Sequence, residues 1–121
     1  MAKLKSWKIL YGESDPEVLA AEAAKFKKAG YPVTLASGRK EIEAALVRET
    51  FDLVIFGHTL SRNDRHHLPY MAKKADEATR VLVLHASGRH HAVDKAVDSR
   101  DGENVVLDAI AELLAAELVG A

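Results

Sequence analysis

A chain of 121 residues with 48% apolar side chains is long enough to bury one core and too short for two domains, so residues 1–121 are read as a single domain. Seventeen basic residues against eighteen acidic ones leave a formal charge of -1, which excludes broad attraction to nucleic acid or anionic lipid; the lack of cysteine excludes disulfides and thiolate chemistry. Met1 to Ser6 hold no signal-peptide core and no run reaches the roughly 18 apolar residues of a membrane span, so a soluble, cytoplasmic protein without membrane partners is expected.

Five short apolar runs alternate with helical patterns, the signature of a parallel sheet covered by helices on both faces. The first strand is expected over Lys8 to Gly12. Asp15 then suits a helix N-cap and Pro16 the first helical position, where its missing N–H costs nothing. Leu19, Ala23 and Phe26 recur at helical spacing, and Gly30 can close that helix in the left-handed conformation. A second strand is expected over Pro32 to Ala36, followed by a helix with Ile42, Ala45 and Leu46 on one face. Leu53 to Phe56 is apolar throughout, as in a central strand buried on both sides. Pro69 falls inside the next helical pattern, Asn63 to Glu77, which predicts a helix beginning near Leu68. Arg80 to His85 is the fourth strand and Ala96 to Asp98 the fifth, with about ten residues between them, short for a crossover of a dozen or more. The last helix, Glu103 to Val119, turns Val106, Leu107, Ile110, Leu113 and Leu114 inward.

Lys8-Ile9-Leu10-Tyr11-Gly12-Glu13-Ser14-Asp15-Pro16, Ala29-Gly30-Tyr31-Pro32-Val33 and the run from Asp52 to Gly57 together resemble the receiver domain of two-component response regulators. The resemblance spans Trp7 to the last helix. It implies a three-layer, flavodoxin-like α/β sandwich with five parallel strands in the order 2-1-3-4-5, in which the family's fourth helix is shortened or missing here.

In an open parallel sheet the crevice lies beyond the carboxyl ends of the strands, so Glu13 to Asp15, Gly57 to Thr59, His85 to Ser87 and Asp98 to Arg100 are the candidate site segments. By the resemblance, Gly57 stands where the family's phosphoacceptor aspartate belongs, Glu13 and Ser14 where its acidic pair holds Mg²⁺, His85 at the hydroxyl position and Asp98 at the lysine position. An acyl phosphate needs a carboxylate, which glycine does not offer. Asp52 cannot stand in, because five residues at about 3.3 Å each place it roughly 17 Å away at the opposite edge. His58, Thr59 and Ser87 are the candidate ligand-contacting residues.

A degenerate receiver-like module follows as the expected function: not an enzyme, not phosphorylated at the usual position, without metal or cofactor, acting through contacts with signalling proteins or a second copy. Its contact surface is expected around Val93 to Val97 and the last helix, left uncovered by the short crossover. The alternative is a small metal- or ligand-binding protein or enzyme using Glu13, His58, His85 and Asp98, whose imidazole and carboxylate groups suit Zn²⁺ but whose spacing matches no known ligand pattern.

Overall fold

The structure, a computed structural model, describes residues 7–84 and 92–118. Its strands are β1 (Ile9–Glu13), β2 (Thr34–Ser37), β3 (Leu53–Phe56), β4 (Arg80–Leu84) and β5 (Lys95–Val97). The helices are α1 (Pro16–Lys28), α2 (Gly38–Arg48), α3 (Arg62–Ala75) and α4 (Glu103–Leu118), with a single 3-10 turn at Ser99–Asp101. The strands form one parallel sheet in the order β2-β1-β3-β4-β5, as the flavodoxin-like reading requires.

Successive side chains of a strand point to opposite faces, and the register aligns those faces across the sheet. Ile9 pairs with Leu53, Leu10 with Val54 and Tyr11 with Ile55. Odd positions of β1 and β3 therefore meet α1 and α4, through Leu19, Ala23, Phe26, Val106, Ile110, Leu113 and Leu114. Leu10, Val54 and Phe56 meet α2 and α3 on the other face, through Ile42, Ala45, Leu46, Leu68 and Ala72. This two-sided burial explains why β3 reads as an unbroken apolar run.

Local chemistry sets the helix ends. The Asp15 side chain accepts from the Glu17 and Val18 amides at 2.9 and 3.4 Å, and Pro16 occupies the first turn of α1. At the other end Gly30 takes φ 99, and the Tyr31 amide returns to the Phe26 carbonyl at 2.8 Å. Lys25, Lys27 and Lys28 in the last turn complement the helix dipole.

The start of the third helix and the span of the fifth strand differ from expectation. The third helix begins at Arg62, not near Leu68, because Ser61 caps it by accepting from the Asp64 amide at 3.1 Å. Pro69 sits mid-helix with its ring buried beside Leu68 and Ala72, so core packing offsets a missing hydrogen bond that costs about 3 kcal/mol in an isolated helix. The fifth strand is Lys95–Val97 instead of Ala96 to Asp98. It is drawn into register by Asp94, whose side chain accepts from the Val81 amide and from Lys73 Nζ, each at 2.7 Å.

Of the surface expected to be uncovered around Val93 to Val97, the Val93 side chain is corrected. Val93 is buried, while Ala96 and Val97 are half-buried against the two cores. Among the described residues, the exposed large apolar side chains are Leu35, Val47 and Tyr70. The shortened or missing fourth helix of the resemblance falls mostly on residues 85–91, outside the described residues; four α-helices are present within them. No helix of the described residues is long and apolar enough to cross a membrane.

Candidate functional site

Glu13 closes β1 and is fully buried, although it carries a carboxylate at the edge where the crevice should open. Burying such a group is costly unless hydrogen bonds replace its water. Three do so. Oε2 accepts from the Tyr11 hydroxyl, while Oε1 accepts from the Thr59 amide at 2.9 Å and the Thr59 hydroxyl at 2.6 Å. Tyr11 lies two residues before Glu13 on one strand, so both side chains fall on the same face.

Thr59 is saturated in turn. Its hydroxyl donates to Glu13 and accepts from the Ser14 and Asp15 amides at 2.9 and 3.1 Å, using the one donor and two lone pairs a hydroxyl has. The turn after β1 and the turn after β3 are thus tied together through one carboxylate and one hydroxyl.

Gly57 supplies the space. The Gly57 amide donates to the Gly12 carbonyl at 2.8 Å, and Gly12 pairs with Phe56, so one step further along the register Gly57 lies beside Glu13. A Cβ at position 57 would come within 1.8 Å of the Glu13 carboxyl carbon and of Oε2, and within 2.1 Å of Oε1. The carboxylate lies where a side chain at 57 would begin. Gly57 is not among the positive-φ glycines, so what the position requires is room and not a left-handed backbone.

His58 is half exposed beyond this cluster, with Nδ1 3.9 Å from Glu13 Oε2, too long for a hydrogen bond. Asp98 follows β5 and is occupied by Arg100, whose Nη2 lies 2.7 Å and Nε 3.0 Å away. The Arg100 guanidinium is consequently held above its ordinary pKa, first by that hydrogen bond and then by the charge of Asp98. His85 and Ser87 lie outside the described residues. Among those described, no three His, Cys, Asp or Glu side chains come together as metal ligands. The structure thus joins Glu13, Ser14, Gly57 and Thr59 in one network, with His58 at its margin and Asp98 paired separately. Asp52 is at the opposite edge, where its Oδ2 accepts from the Lys8 amide at 2.9 Å.

Sequence reasoning missed Tyr11 as a partner of Glu13 and Arg100 as a partner of Asp98. Each stands two residues from its partner, and a Tyr-x-Glu pair in an otherwise apolar strand is a visible signal for the first. Burial, then the hydrogen bond and charge of Glu13, push the Tyr11 hydroxyl far above its usual value of 10.0, so it stays protonated in the folded protein. The unfolded chain would release that proton as pH passes about 10, so Tyr11 contributes stability that is complete below that pH and lost above it. Stability should fall between pH 10 and 12 by about 1.4 kcal/mol per pH unit more in the native sequence than in Tyr11→Phe, measured by urea unfolding across that range. Equal slopes would show that Tyr11 ionises freely in the folded protein.

No family model matches this chain, and no curated protein matches its sequence. Solved structures do match in shape. A response regulator receiver domain protein (CheY-like) from Methanospirillum hungatei JF-1 superposes with a TM-score of 0.82 at 18% identity, covering 97% of this chain and 100% of the other. The signal receiver domain of a signal transduction histidine kinase from Syntrophus aciditrophicus gives 0.75 at 17% identity, covering 91% of each. The receiver domain of a sensor histidine kinase from Pseudomonas aeruginosa PAO1, with a magnesium ion coordinated in its active site cleft, gives 0.69 at 16% identity, covering 88% of this chain and 94% of the other. At such identities the likeness is one of fold.

Proposed function

We propose, from a chain with the receiver fold, that this protein is a cytoplasmic signalling module of two-component type that does not take a phosphoryl group at the usual position. It acts through contacts with other proteins and catalyses no reaction of its own. The observation that carries this reading is Gly57: it follows β3, has no side chain to phosphorylate, and leaves its space to the Glu13 carboxyl. The Mg²⁺-bound histidine kinase receiver shows that metal in a cleft of this fold. Here Glu13, which the resemblance aligns with the acidic pair, uses three of a carboxylate's roughly four acceptor sites on Tyr11 and Thr59, whereas Mg²⁺ draws on several carboxylate oxygens. Asp98, which the resemblance aligns with a phosphate-contacting lysine, adds a negative charge offset by Arg100.

Incubation with acetyl phosphate and Mg²⁺ should leave the intact mass unchanged, while a phosphorylatable receiver run in parallel gains one phosphoryl group. An acid-stable, base-labile adduct on any residue of this chain would overturn the reading.

A further inference from the structure

The fully buried Glu13 carboxylate is more than a consequence of the missing side chain at 57. Side chains at neighbouring positions of parallel strands normally stand side by side, each over its own backbone. Glu13 instead leans across to its neighbour, which only a residue without Cβ permits, and its carboxyl carbon falls within 1.8 Å of the Cβ position it displaces. The same carboxylate collects the Thr59 amide and hydroxyl, and Thr59 collects the Ser14 and Asp15 amides that lead into α1.

We infer that Glu13 and Gly57 form a matched pair, an internal latch in which a carboxylate from β1 takes the place of one from β3 and locks the two turns of the crevice in a single arrangement. The inference rests on the proposed reading that position 57 is the vacated acceptor site. It adds a mode of regulation: the crevice is filled by the chain's own Glu13 side chain, and the start of α1 is fixed to the turn after β3 whether or not phosphoryl donors are present. The surface built on those turns is then constitutive. The parts are complementary by chemistry. A buried carboxyl group needs donors, which Tyr11 and Thr59 supply, and the Thr59 hydroxyl oriented by that bond accepts from the two turn amides.

A double-mutant cycle tests the pairing. Gly57→Ala in the native sequence should lower the folding equilibrium constant at least a hundredfold, since the new methyl meets the carboxyl group. In a Glu13→Ala background the same change should cost less than threefold, because the methyl enters space the carboxyl has left. Equal losses in both backgrounds overturn the latch. Should Glu13→Ala fail to fold, hydrogen exchange of the native protein decides: the Thr59, Ser14 and Asp15 amides should exchange only with global unfolding, as slowly as that of Leu10 in mid-strand. Exchange a thousandfold faster than Leu10 would show that the turns open locally and are not latched. The two readings fail separately: phosphorylation of the native chain removes the proposed function, whereas additive mutants with no phosphorylation remove the latch alone.

Discussion

Gly57→Asp restores the acceptor's chemistry on paper, and the expected result is a protein less stable by about 3 kcal/mol or more that still takes no label from acetyl phosphate. The new side chain must enter space within 2.1 Å of both Glu13 oxygens, so one of the two carboxylates has to leave. If Glu13 is expelled, it abandons its bonds to Thr59 and leaves the Tyr11 hydroxyl buried without an acceptor, a loss of about 1–3 kcal/mol for each group stranded in the interior. If both stay, two negative charges share one buried site and one must be neutralised by a proton. Neither outcome produces a free carboxylate facing solvent with Mg²⁺ beside it. Urea unfolding measures the first part and intact-mass analysis the second. Efficient labelling of this single variant would mean that the Glu13 network yields easily and that the neighbouring departures, Ser14 and Asp98, matter little.

Thr59→Val should be the most costly change of a single polar group in the crevice, at about 2–3 kcal/mol, while Thr59→Ser should cost less than about 1 kcal/mol. Valine keeps the shape but strips a bond from a buried carboxylate and removes the acceptor of the Ser14 and Asp15 amides. Those amides are exposed enough for water to replace the hydroxyl, so most of the cost sits on the Glu13 side. Serine retains the hydroxyl and loses only a methyl. Denaturant midpoints of the two variants separate the explanations: similar losses for serine and valine would assign the effect to packing, whereas a loss confined to valine assigns it to the hydroxyl. In the valine variant the Ser14 and Asp15 amides should also exchange faster than in the native protein.

Local interactions make much of the architecture legible from the residues alone. Asp15-Pro16 at one end of α1 and Gly30 beyond the other mark that helix by chemistry that acts within four residues, and the unbroken apolar run of Leu53 to Phe56 announces a central strand through its two buried faces. The strand order followed from the resemblance those segments carry and is the order observed. Where local rules failed, distant packing had overruled them. Pro69 disfavours a helix interior, yet α3 runs through it because Leu68, Pro69 and Ala72 are buried against the sheet. Val93 looked uncovered beside a short crossover, yet it packs with β3 and β4 residues of the second core.

The crevice divides in the same way. That position 57 carries no carboxylate and that Glu13 and Ser14 follow the first strand are facts of residue identity. What the missing side chain means depends on packing between strands. The strand register sets Glu13 beside Gly57 across 44 residues of chain, and Thr59, 46 residues from Glu13, closes the network. No local pattern encodes a side chain leaning across its neighbour, because its direction depends on a vacancy in another strand and on donors from another turn.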